Sequence, residues 1–192
     1  GVAKRDHAFP TDVAPTICMM SNPLVTPPAA QREHGVTAIT VTDIRWLRCD
    51  IKAISLLANV LLRQQAVDAG AMEAVLLRDG FLTEGAASNI FVVKSGVILA
   101  PPKNHLMLPG ITYDVVLELA AQHGLPHEVS QITQAELHAA DEVWLTSSTK
   151  EVLPITQIDN QPVSTGHPGP IFARMYDLYQ RYKQAVRSGA AT

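Results

Sequence analysis

One lysine and one glutamate carry the first chemical signal in this chain. Lys52 stands in DIKAISLL, in an otherwise apolar neighbourhood. Glu84 follows 32 residues later, in the tight turn Thr83-Glu84-Gly85 ahead of a strand. A lysine amine that sheds its proton is a nucleophile toward aldehydes and forms a Schiff base. A carboxylate can pair with a pyridinium nitrogen and keep the ring cationic. Pyridoxal phosphate chemistry asks a protein for these two groups. Each residue also has a plainer role. Lys52 at a helix start can simply extend its ammonium into solvent. The chemical role requires a partly buried amine, its pKa lowered by desolvation or by a cation, and Arg45 and Arg48 are near enough in sequence to supply one. Glu84 can be a solvated turn residue. Gly85 and the run Ala86-Ala87-Ser88 would let backbone approach a flat ligand, and they suit any tight turn equally well.

Two further segments have the make-up of anion sites. Leu108-Pro109-Gly110-Ile111-Thr112 leads into a helical pattern. The Ile111 and Thr112 N–H groups would therefore face a phosphate with the helix dipole behind them. Thr146-Ser147-Ser148-Thr149 closes a strand with four hydroxyls in a row. Ordinary capping explains either segment taken alone.

The elements that must position these groups follow from periodicity and breakers. Residues 1–35, with Pro10, Pro15, Pro23, Pro27 and Pro28, read as extended chain and turns with one short strand over 15–21. VTAITVTD at 36–43 reads as a strand. Leu56 to Ala69 has helical spacing and stops at Gly70. Strands are expected over 74–77, 89–94 and 97–100, with Asp79-Gly80 and Ser95-Gly96 as hairpin turns. Helices are expected over 111–123, 133–139 and 170–186, the last with Pro170 in its first turn. Strands over 143–146 and 152–158 complete one mixed α/β domain, followed by a turn at Asp159-Asn160.

Composition narrows the class. An apolar fraction of 47% against 17% charged residues supports a substantial core and argues against disorder. The formal net charge is −3 and the basic residues are scattered, so no nucleic-acid or anionic-lipid footprint is present. Cys18 and Cys49 have no metal-ligand spacing, and a reducing, cytoplasmic setting is the expectation. Arg63 and Asp68 interrupt the longest apolar run, and GVAKRDHAFP lacks the apolar segment of a secretory signal.

Taken together, DIKAISLLANVL, EAVLLRDGFLTEGAASNIFVV, LPGIT and ADEVWLTSSTKEVLPITQIDNQPV resemble the fold-type IV pyridoxal phosphate enzymes, the class IV aminotransferases, over nearly the whole chain. The resemblance implies an α/β fold, the large C-terminal domain of the D-amino acid aminotransferase-like architecture. Residues 1–35 would be an irregular leader and interdomain segment, and 36–192 the large cofactor-binding domain. Lys52 would be the Schiff-base lysine and Glu84 the pyridine-nitrogen partner. Leu108 would pack on the ring. Ile111, Thr112 and Ser148 would bind the phosphate, with Ser147 and Thr149 nearby, and Gly110 would also be cofactor-binding.

Within the family, DIRWLRCDIK and the pair Arg5 and His7 look most like the branch that transaminates D-amino acids. In that branch such a pair helps trap the substrate carboxylate across a dimer interface, a task suited to a guanidinium fork. The implied reaction is of the type D-alanine plus 2-oxoglutarate to pyruvate plus D-glutamate, in a homodimer. The same fold also serves branched-chain L-amino acid aminotransferases and aminodeoxychorismate lyases, and an inactive fragment that dimerises without catalysis is the alternative of another class. Two departures from the family stand out. Its small N-terminal domain, which brings a phosphate-site arginine and a tyrosine near the substrate, has no counterpart here. The chain is therefore expected to be a fragment, or to work with a separate N-terminal piece. Tyr113 stands where the family more often has arginine, which is expected to alter the surface near the phosphate.

Overall fold

The computed structural model describes residues 1–189. Residues 1–28 contain neither helix nor strand, so the strand expected over 15–21 is absent. The leader instead ends in a short helix, α1 (Ala29–His34). Good helix formers follow Pro28, and Arg32 donates to the Pro27 carbonyl at 2.8 Å, tying the turn back on itself. The proline-rich composition hid this element.

Strand β1 (Val36–Thr42) is followed by a 30-residue crossover containing α2 (Leu57–Asp68). The crossover returns to β2 (Glu73–Arg78), which lies parallel to β1. A parallel pair needs a connection of this kind, because a hairpin cannot reverse the chain twice. Lys52 lies on the crossover, ahead of α2. Two hairpins come next. β2 turns into β3 (Phe81–Gly85), and β4 (Asn89–Lys94) turns into β5 (Val97–Ala100). Both turns have positive φ at both central residues, 51° and 81° at Asp79-Gly80 and 49° and 77° at Ser95-Gly96. That conformation matches the twist of the flanking strands and explains the glycines.

The chain continues through α3 (Ile111–Gln122), β6 (His127–Val129), α4 (Gln134–His138), β7 (Glu142–Ser147), β8 (Glu151–Ile158), β9 (Gln161–Pro162) and α5 (Pro170–Ser188). β6 and β9 escaped the sequence reading. They are three and two residues long, exposed, and held only by edge pairing to β5 and β8. The sheet runs β3-β2-β1-β8-β7-β4-β5-β6 and is mixed, with three parallel pairs. The domain expected over 36–192 runs into residues 190–192, which lie outside the described residues.

Core lies on both faces of the sheet. Phe91, Trp144 and Tyr113 pack with α3 and α5 on one side, and Ile90, Leu145 and Leu153 form the other. Burial on both faces is why β4, β7 and β8 read as continuous apolar runs. Among the described residues no helix is long and apolar enough to cross a membrane.

One buried carboxylate ties α5 to the sheet. Glu142 accepts the N–H groups of Ile171 at 2.9 Å and Phe172 at 2.7 Å, and the Trp144 indole N–H at 3.0 Å. The free donors of a helix start are thereby satisfied, with negative charge at the positive end of the dipole. A Cβ at Gly169 would collide with this carboxylate. Glu142→Leu strands three donors, each costing about 1–3 kcal/mol. The expected result is a stability loss of about 3 kcal/mol or more, seen as a lower urea midpoint at unchanged slope.

Candidate active site

Glu84, the LPG turn and the hydroxyl turn converge at the end of the sheet where β3 closes and β4 opens. Glu84, on β3, is only 5% exposed, so it is not a solvated turn residue. One carboxylate oxygen accepts from the Arg45 guanidinium and from the Leu108 N–H at 3.1 Å. The other accepts from Asn89 Nδ2 at 3.3 Å. Asn89 opens β4 and works in three directions. Besides Glu84, it donates to the Leu108 carbonyl at 2.9 Å, and its Oδ1 accepts the Gly110 N–H at 3.2 Å. A Cβ at Gly110 would come within 2.6 Å of that oxygen, so the LPG turn needs a residue with no side chain to approach so closely.

Sheet register adds the hydroxyl turn. Asn89 lies opposite Thr146, so the end of β7 sits beside the LPG turn. Ser147 Oγ accepts the Lys150 N–H at 3.1 Å, and Ser148 and Thr149 are exposed on the turn that follows. Thr146 Oγ1 is enclosed and has no hydrogen-bond partner. The neighbouring α3 starts at Gly110 in an extended conformation with no side-chain cap. Ile111 is 74% exposed and Thr112 is buried. An uncapped helix start, an orphaned hydroxyl and two free hydroxyls suit a phosphate. A buried carboxylate beside them suits a basic ring nitrogen. The residues present therefore fit pyridoxal phosphate, and Glu84, Leu108, Gly110, Ile111, Thr112 and the 147–149 turn are the groups that would hold it.

Arg45 is the electrostatic centre. Its fork donates twice to Asp43, at 2.9 and 2.8 Å, and it reaches Glu84 and the Leu106 carbonyl as well. Arg78 lies 3.1 Å from Asp43, and the Thr83 hydroxyl donates to Asp43 at 3.1 Å. Burial alone would raise the Asp43 pKa, but the hydrogen bonds and charge of Arg45 hold it below the usual carboxylate range. Burial also works against the Arg45 charge, yet Asp43 and Glu84 together push the guanidinium further up. For Glu84 desolvation wins. It raises the carboxyl to about 7, although Arg45 and the Leu108 N–H pull the other way.

A carboxyl raised on folding stabilises the fold while protonated, and that contribution is lost as pH rises through the folded-state value. Stability of the ligand-free chain should therefore fall between about pH 4.5 and 7, by on the order of 3 kcal/mol from Glu84. Subtracting the same profile for Glu84→Gln isolates the effect. A flat difference across that window refutes it.

Other expected residues are placed differently. Lys52 is exposed, in a stretch without regular structure, and no hydrogen bond or ion pair joins it to Glu84 among the described residues. Arg45 and Arg48 do not lend it free positive charge, since Arg45 is committed to Asp43 and Glu84, and Arg48 to Asp50 at 2.9 Å. The crossover is nonetheless tied to the site, because the Cys49 N–H donates to the His105 carbonyl at 2.8 Å. Arg5 and His7 are exposed in the leader, and no hydrogen bond or ion pair joins either to this constellation among the described residues. Tyr113 does not shape the surface near α3. It is fully buried, donates to the Pro101 carbonyl at 2.8 Å and packs 5.1 Å from the Phe91 ring. Asn89, Asp43 and the clamping role of Arg45 were not foreseen. A polar residue opening an apolar strand, as in SNIFVV, is the local sign by which Asn89 could be found.

Residues 1–158 match the family model of amino-transferase class IV. The chain belongs to the class IV aminotransferases. Members of this family are pyridoxal phosphate-dependent. This class IV chain is 45% identical over 171 residues to a D-alanine aminotransferase of Bacillus licheniformis, covering 89% of the chain and 60% of the relative. It is 40% identical over 185 residues to a D-alanine aminotransferase of Staphylococcus epidermidis, covering 96% of the chain and 66% of the relative. The chain thus spans less than two thirds of the length of these relatives. Among solved structures, the T.th. branched-chain amino acid aminotransferase with pyridoxamine 5'-phosphate superposes with a TM-score of 0.76 at 32% identity. That match covers 81% of this chain and 52% of the other.

Proposed function

We propose that this chain is the cofactor-holding part of a pyridoxal phosphate-dependent aminotransferase that acts on D-amino acids, D-alanine with 2-oxoglutarate being the type reaction. The observation that carries the reading is the Glu84 carboxylate, buried beside an uncapped helix start and a hydroxyl turn. The 45% identity to a D-alanine aminotransferase supports the choice of substrate. When bound, the cofactor supplies an electron sink for the substrate α-carbon. Glu84 would keep a proton on the pyridine nitrogen, with Arg45 holding the carboxylate in place. Thr112, Ser148 and the N–H of Ile111 would hold the phosphate, and Leu108 would bear on the ring. Lys52 Nζ would anchor the cofactor aldehyde, then take up the substrate's α-proton once freed. Arg5 and His7 would meet the substrate carboxylate.

A homodimer is part of this reading. Trp46, Leu47, Ile54, Leu57, Val60 and Leu61 are exposed large apolar residues on the crossover and α2, the kind of surface that a second copy would cover. Light scattering tests it. A cytoplasmic setting accords with the free cysteines. A separate N-terminal piece of the polypeptide would be found by intact-mass spectrometry.

The structural likeness to a branched-chain enzyme favours a second reading, transamination of branched-chain L-amino acids. Parallel assays with D-alanine, L-leucine and aminodeoxychorismate decide between the options. Turnover of D-alanine is the expected result, and preference for either of the others overturns the substrate assignment. A colourless purified protein that takes up no pyridoxal phosphate would point to an inactive dimerising fragment.

A further inference from the structure

Glu73 is 0% exposed and plays no part in the chemistry above. It opens β2, far from the 147–150 turn in sequence but beside it in space. One of its oxygens accepts the Ala74 N–H at 3.0 Å. The other accepts the Ser88 hydroxyl at 2.8 Å and the Lys150 ammonium at 3.3 Å. Ser88 closes the turn between β3 and β4, where the Gly85 N–H donates to the Ser88 carbonyl at 2.7 Å. A Cβ at Gly85 would strike the Ser88 hydroxyl and come within 3.3 Å of the Glu73 carboxyl carbon. Lys150 follows Thr149 directly, and its N–H donates to Ser147 Oγ. One buried carboxylate therefore touches both turns that flank the candidate cofactor site. A lone buried charge is costly, and a partner is retained only where the geometry holds it.

We propose that Glu73 and Lys150 are positioning residues, an ion pair that clamps the 147–150 turn to the 85–88 turn and thereby sets the hydroxyls that receive the cofactor phosphate. The consequence for the cofactor rests on the function proposed above. The clamp itself does not.

The test uses the full chain and two readouts. In the ligand-free state, amide hydrogen exchange at 148–150 and 86–88 reports the clamp. Glu73→Gln keeps the volume and the Ser88 bond but removes the charge, and Lys150→Met removes the partner. Both should speed exchange in these turns alone by about tenfold, through local rather than global opening. Lys150→Arg, which keeps the charge, should exchange like the parent. Titrated with pyridoxal phosphate, Glu73→Gln and Lys150→Met should bind about tenfold more weakly, the lower end of the loss seen when a residue that orients a metal ligand is removed. Lys150→Arg should retain affinity. Unchanged exchange overturns the clamp, and faster exchange with affinity held within about twofold of the parent overturns its role in positioning the phosphate-holding hydroxyls. If the parent chain takes up no pyridoxal phosphate while exchange responds as expected, the clamp stands and the proposed function fails.

Discussion

Lys52→Ala is expected to abolish covalent uptake of pyridoxal phosphate and to leave the fold intact. The side chain is exposed and makes no hydrogen bond among the described residues, so its truncation should change stability by less than about 0.5 kcal/mol. Under the proposed function the variant would lose both the anchoring amine and the proton carrier, and proton transfer alone is worth about 10²–10⁴-fold in rate. Circular dichroism and urea denaturation should match the parent while the visible cofactor band and transamination vanish. A variant that keeps the band and the parental rate would remove Lys52 from the chemistry.

Arg45→Met is expected to be the most damaging single change to the site's scaffold. The guanidinium bridges two buried carboxylates and a carbonyl, Asp43, Glu84 and Leu106. Methionine fills much of the space and supplies no charge. Removing one partner from a buried ion pair costs about 3–5 kcal/mol where the remaining group stays charged, so the loss should be largest at alkaline pH and smaller where Glu84 takes up a proton. Arg78 stays near Asp43 at 3.1 Å and softens the loss there, so the burden falls on Glu84. Its carboxyl, already pushed up to about 7 by burial, should rise further once Arg45 is gone. The measurements are the urea midpoint and the pH at which pyridoxal phosphate uptake is half-maximal. Arg45→Lys should not restore either, since an ammonium cannot span both acceptors as a planar fork does. A parental midpoint in Arg45→Met would mean that the bridge contributes nothing.

Much of the fold was legible one segment at a time. The hairpins at Asp79-Gly80 and Ser95-Gly96, the helix stopping before Gly70 and the Pro170 start of α5 all stand where local backbone preference puts them. Those signals depend on a few adjacent residues, so they survive without tertiary context. Strand β6 did not show, because pairing with β5 across α3 holds it rather than propensity; β9 is too short after its turn to carry a pattern, and the prolines ahead of α1 masked its helix formers. Tyr113 was misjudged for a related reason. Residue type at a helix start does not say which way the side chain turns, and here Phe91 and the Pro101 carbonyl draw it inward.

By itself the sequence determined the chemistry on offer: a lysine, a carboxylate, a glycine turn before a helix and a row of hydroxyls, in an order typical of one family. Tertiary structure alone decided which of these meet. Pairing of Asn89 with Thr146 brings the hydroxyl turn to the LPG turn, and Arg45 reaches Glu84 across 39 residues of chain. Glu73 meets Lys150 across 77. Such contacts depend on strand register, a property of the whole sheet, and a one-residue slip would turn each side chain to the opposite face.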